Sequence, residues 1–287
     1  MKNSLGIRAK HLLLIYFLLT FLISWTGLVF IMGIDGFTGQ KEVPDSQIPL
    51  LFLAMCAGPF IAGLLVNYFE NGKASFKQLI TRIGKWKVST QWYAIALFSA
   101  PLLFGLTYVA LSSFSSKFSP ILFSTDDLLF LVLGGILGGI VAGFFEEIGW
   151  TGFAVPRLRQ HFNIGTTGLI VGVIWGVWHL PLFMDSDPDE DIPLAILLII
   201  KLVTHLPAFR ILMVWVYDHT QSLCIIILMH MSLTTSTMIF QPTTTKGVDI
   251  VVFNLMFTGL IYVFMIMLRY LTFRLRSGFG TTSTGSV

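Results

Sequence analysis

Six ionisable side chains stand inside otherwise apolar stretches of this sequence: Glu146, Glu147, His179, Lys201, His205 and His230. Charges in such surroundings are costly and usually functional. The glutamates are adjacent. Two neighbouring carboxylates in a low-dielectric cavity do not both ionise easily, which suits one of them to take a proton from water as a general base. His179 lies in GLIVGVIWGVWHLPLF, on one helical face with Gly172, Trp175 and Gly176, and Pro181 follows closely. His230 lies in CIIILMHMSLTTSTMIF and forms a polar stripe with Thr234 and Thr237. Each feature also has a plain structural reading. The glutamates can be an interfacial pair at a helix end, a lone histidine can be a satisfied interior residue, and Ser and Thr commonly bond between membrane helices. Lys201 and His205, four apart on one face, match no motif. Arg210, near the inner end of its span, can simply snorkel.

The elements that must position these residues follow from composition. The chain has 287 residues, 55% hydrophobic and 11% charged, with a net charge of +3 and a mean hydropathy of +0.81. An ordinary soluble domain is about 25% charged. The composition excludes a soluble enzyme, a disordered protein and a nucleic-acid binder. The expected fold class is an all-α polytopic membrane protein with about eight transmembrane helices. Runs of about 20 apolar residues fall at roughly 11–33, 49–69, 91–113, 126–151, 166–184, 192–217, 222–240 and 249–270. The first run is too long for a cleaved signal peptide and no A-x-A site follows it, so it reads as a retained helix. Basic residues cluster before span 1, at 73–87, at 157–159 and after 268, whereas the segment DSDPDED at 185–191 carries five acids. By the positive-inside rule both termini are cytoplasmic. Phe76, Leu79, Ile80 and Ile83 predict a short amphipathic helix on the inner surface. The tail GFGTTSTGSV has a disordered composition. Cys56 and Cys224 form neither a disulfide framework nor a metal quartet. The chain divides into helices 1–3 with the basic loop (1–125), a core of helices 4–7 (126–240), and the last helix with the tail (241–287).

Span 4 reads GGILGGIVAGFFEEIGWTGF. Gly135, Gly139, Gly143, Glu147 and Thr151 form one stripe, and Gly138, Ala142, Glu146 and Trp150 form the next. Small residues at this spacing admit another helix backbone. The glycine face, and both glutamates with it, therefore points into the bundle. His179 and Glu146 as drawn differ in depth by roughly 10 to 15 Å, so either helix 4 runs on beyond 151, which is the expectation here, or helix 5 starts later than drawn.

Three ordered segments resemble the CPBP intramembrane proteases, also called the Abi or type II CAAX prenyl endopeptidase family. Glu146-Glu147-Ile148-Gly149-Trp150-Thr151 aligns with that family's EExxxR, Trp175 to His179 with its aromatic-xxx-His, and His230 to Thr234 with its His-xxx-Asn/Asp. The run RILMVWVYDHTQSLCIIILMH is similar to the stretch before the third motif. The resemblance covers about residues 126–240. Thr151 stands where the family has Arg, which would orient or neutralise the glutamates, and Thr234 stands where it has Asn or Asp. Arg157 can substitute for the first only if the chain turns back.

The resemblance implies hydrolysis of a peptide bond within the bilayer, in a membrane-associated protein or peptide. It assigns Glu146 as base, His179 and Glu147 as positioning groups, and His230 with Thr234 as oxyanion stabilisers. It also allows a metal version in which Glu146, His179 and His230 ligate Zn²⁺ and leave a fourth position for water. The Glu–Glu–His set suffices for a metal-free mechanism, which is the expectation here. Eukaryotic relatives cut prenylated C-terminal CAAX sequences, but no motif in this chain reads a prenyl group. The expected location is the cell membrane. Two other classes stay open: a non-catalytic membrane factor, such as a bacteriocin-immunity protein or scaffold, and a proton-coupled transporter.

Overall fold

Apolar runs in lipid must satisfy their own backbone hydrogen bonds, and helices do so within one segment. The computed structural model describes residues 7–184, 192–240 and 245–278 and contains helices but no strand among them. The acidic segment 185–191 and most of the Gly/Ser/Thr tail lie outside the described residues. The helices are α1 (Ile7–Phe37), α2 (Ile48–Asn71), α3 (Lys73–Ile83), α4 (Thr90–Ser112), α5 (Leu128–Gly149), α6 (Val155–Arg159), α7 (Ile164–Trp178), α8 (Leu194–Val203), α9 (His205–Thr220), α10 (Leu223–Phe240) and α11 (Gly247–Gly278). Among the described residues, seven stretches are long and apolar enough to cross a membrane, and the chain is a multi-pass membrane protein.

Two of the eight expected spans look different. The fifth is short: α7 has 15 residues and stops at His179, where a 3₁₀ turn over Leu180–Phe183 takes over. The sixth is broken. Thr204 (φ −103°, ψ −85°) separates α8 from α9. Pro207 follows three residues on, has no N–H to give, and clashes with a carbonyl one turn back. A third difference lies in α1, which bends at Gly33 (φ 72°), a conformation that glycine adopts without a Cβ penalty.

Helix 4 of the sequence reading does run on. After Gly149 the backbone passes through one π turn, Trp150–Ala154, into α6, so one apolar rod extends from Leu128 to Arg159. The depth conflict disappears. Glu146 lies about 20 Å before the end of that rod, and His179 about 22 Å past the start of α7.

Glycine contacts set the packing. A Cβ on Gly139 would lie 2.6 Å from the Met231 carbonyl oxygen, and one on Gly143 2.6 Å from that of Ile227. The α5 glycine stripe therefore seats α10, as its spacing predicts. A second stripe seats α9 and the end of α8 on α7. Cβ atoms on Gly168, Gly172 and Gly176 would lie 2.5 Å from Ile211 Cα, 2.4 Å from Pro207 Cα and 1.8 Å from the Leu202 oxygen. The connections sort into two ends. Arg157 pairs with Glu70, and Arg159 with Asp218 at 2.8 Å, which ties the C-terminal ends of α2, α6 and α9 together at one end. Lys117 and Asp249, 3.2 Å apart, join the segments after α4 and α10 at the other.

The amphipathic helix is present as α3, with its phase shifted. Leu79 is buried against Ile148 and Leu223, whereas Ile80 is exposed. Arg82 shares the inner side and donates to the Gly152 carbonyl at 2.8 Å and to the Tyr217 hydroxyl at 3.1 Å.

Candidate active site

The end of α5 carries Glu146 and Glu147, 4% and 0% exposed. Both lie on the glycine faces, so both are buried where the neighbouring helices come closest. Their partners differ. Glu147 Oε1 accepts from Arg210 Nη1 at 2.7 Å and lies 2.7 Å from His230 Nδ1, while its Oε2 accepts from the Thr151 hydroxyl at 2.5 Å. Glu146 Oε2 accepts from the Trp175 indole at 2.8 Å and from the Trp150 indole at 3.3 Å, with His230 Nε2 at 3.8 Å. Neutral donors surround one carboxylate and a guanidinium balances the other.

Trp175 connects the parts. Besides its bond to Glu146, its ring lies 5.5 Å from that of His179 and 5.2 Å from that of His230, centroid to centroid. The Arg210 guanidinium stacks over it at 4.2 Å, within cation–π range. The α7 glycines make this possible, because they let α9 approach until Arg210 reaches across.

His179 ends α7 and is half-buried. Its Nδ1 is 2.8 Å from the Trp175 carbonyl oxygen. A carbonyl only accepts, so Nδ1 carries the hydrogen and the neutral ring leaves its lone pair on Nε2. His230, on α10, is 1% exposed and reaches both carboxylates. Thr234, one turn later, is half-buried and makes no hydrogen bond to the glutamates among the described residues. Glu146, Glu147, His179 and His230 thus gather around Trp175, with Thr234 at the margin.

Other candidates stand elsewhere. Arg157 does not turn back. It pairs with Glu70, donates to the Phe153 carbonyl at 2.7 Å and stacks on the Phe153 ring. Lys201 and His205 line a separate aromatic cavity of about 340 Å³ with Tyr108, Phe183 and Phe257. Arg210 does not snorkel: its side chain is fully buried. Sequence reasoning missed it as part of the site. Its one signal was a guanidinium within an apolar run, and Glu147, its partner, is 63 residues away.

The metal version requires Glu146, His179 and His230 to converge as ligands. Among the described residues, no three His, Cys, Asp or Glu side chains come together as a set able to hold an ion. The residues present do not fit the metal, and no step is derived through it.

Residues 128–236 match the family described as Type II CAAX prenyl endopeptidase Rce1-like. A curated relative, CAAX prenyl protease 2 of Methanococcus maripaludis, is 27% identical over 184 residues, which cover 58% of this chain and 61% of that protein. The chain thus spans about three fifths of the length of the relative it matches. The matched segment holds both glutamates, the α7 and α10 histidines and Arg210, and over these residues the chain is similar to that family.

Proposed function

We propose that this protein is an intramembrane endopeptidase that cleaves a peptide bond in a membrane-associated protein or peptide. The observation that carries the reading is the pair of adjacent buried carboxylates with unlike partners, one balanced by Arg210 and one held by indole N–H groups beside two histidines. Glu146, which no guanidinium neutralises directly, takes a proton from water as the water oxygen attacks the scissile carbonyl carbon. His179 Nε2 accepts from the same water and orients it. His230 in its imidazolium form, with Nδ1–H on Glu147, donates from Nε2–H to the carbonyl oxygen as it becomes an oxyanion, and Thr234, one turn away, supplies the second donor. The C–N bond then breaks. The proton held by Glu146 passes to the leaving nitrogen, giving a carboxylic acid and an amine, which exchange one proton to become a carboxylate and an ammonium. Glu147 holds His230 through Nδ1. In this reading both termini face the cytoplasm, the protein lies in the cell membrane, and the chemistry is metal-free.

Membranes from cells expressing wild type or Glu146→Gln, compared by proteomics, test this and identify the substrate. Peptides generated by wild type and missing from Glu146→Gln are the expected result. His179→Ala behaves the same way in a cleavage assay on the protein so found. If both variants cleave as well as wild type, the proposal fails. Full cleavage in excess chelator, with no tightly bound metal by elemental analysis, supports the metal-free route; loss of cleavage restored by added Zn²⁺ refutes it.

A further inference from the structure

The EExxxR pattern places an arginine one turn after the second glutamate, and residues four apart on a helix are neighbours. This chain has Thr151 there, and its hydroxyl bonds Glu147 Oε2. A neutral hydroxyl cannot balance a buried carboxylate. Arg210, from α9, bonds the other oxygen of the same group. Both side chains of this ion pair are 0% exposed. We propose that Arg210 does the work of the absent arginine: it is a positioning residue that holds Glu147 charged and, through the stacked Trp175 ring, fixes the indole that donates to Glu146. The proposal rests on the endopeptidase reading for its catalytic part.

Two observations favour this over a purely structural role. First, the arrangement is poor for stability alone. Arg210 Nε and Nη2 are buried with no hydrogen-bond partner among the described residues. A buried ion pair with unmet donors is commonly matched or exceeded in stability by apolar residues of similar volume. Second, the α7 surface is built to admit it. A Cβ on Gly172 would lie 3.1 Å from Arg210 Cβ and 2.4 Å from Pro207 Cα. A larger residue there would push away the backbone that delivers the guanidinium.

The test uses the full chain in nanodiscs, with melting temperature and cleavage kinetics read on the same samples. The cleavage probe is the membrane protein found by the proteomic comparison or, until one is in hand, a farnesylated, internally quenched CAAX peptide. Arg210→Met melts about 5 to 10 °C lower, because Glu147 is left buried and unpaired. Arg210→Met/Glu147→Gln melts at or above wild type, yet cleaves at least about tenfold more slowly with KM little changed. Thr151→Arg/Arg210→Met regains both melting temperature and kcat over Arg210→Met, because an arginine at 151 reaches the same carboxylate. Either of two results overturns the proposal: Thr151→Arg/Arg210→Met melting no higher than Arg210→Met, or the Arg210→Met/Glu147→Gln double variant cleaving like wild type. If wild type cleaves neither probe, the endopeptidase reading fails, and the melting temperatures still decide whether an arginine at 151 can replace Arg210.

Discussion

Glu146 and Glu147 are consecutive residues on one helix, and their surroundings divide the labour. Glu147 touches a guanidinium, an imidazole and a hydroxyl. Glu146 touches two indoles and stands 3.8 Å from the nearest imidazole nitrogen. The difference arises because each projects from a different stripe of α5: Glu147 continues the Gly135–Gly139–Gly143 stripe that faces α10, and Glu146 continues the Gly138–Ala142 stripe. An anchored carboxylate beside one held only by neutral donors separates structure from chemistry within a single step of the chain.

The sharpest way to break this comparison is to neutralise each glutamate in turn. Glu146→Gln keeps its shape and can still accept from both indoles, so the fold stays intact while cleavage falls about 10³-fold; a kinetic assay on the folded variant reads this. Glu147→Gln does the opposite first. It leaves Arg210 buried without its counter-charge and costs about 3 kcal/mol or more, seen as a lower melting temperature and reduced yield of folded protein. Equal loss of stability in the two variants would erase the distinction. Trp175→Phe keeps the ring under Arg210 and removes only the N–H to Glu146, so kcat drops about tenfold with stability changed by about 1 kcal/mol. Thr151→Ala is the mildest, costing Glu147 one neutral hydrogen bond worth about 1 kcal/mol, measured by thermal unfolding.

Local patterns carried most of this to the reader of the sequence. The apolar runs fix the helices because lipid leaves the backbone no other partners. The α5 glycine spacing reports where α10 packs, and the wish to equalise the depths of Glu146 and His179 was enough to extend helix 4 past residue 151. What escaped was non-local. Arg210 looked like an end-of-span cation because nothing in its own apolar run shows that Gly172, on α7, opens a path for it. The indole of Trp175 counted as an aromatic ring, and only the approach of α5 makes its N–H a ligand for Glu146. The break at Thr204 and the phase of α3 were hidden for the same reason. Hydropathy averages over a window, while backbone torsions and the inward turn of Arg82 depend on what packs alongside.

The wide turn at Trp150–Ala154 gives the rod from Leu128 to Arg159 the character of a crankshaft. Before it stand the carboxylates, facing α7, α9 and α10. After it stand Arg157 and Arg159, anchored to the last turns of α2 and α9. Each residue of an α-helix turns the chain by about 100°, and a π turn is α-helix with one residue to spare. Removing that residue would leave hydropathy, charge and span length almost untouched. It would also swing one end of the rod against the other by more than a quarter turn, so that either the anchors or the glutamates would face the wrong neighbours.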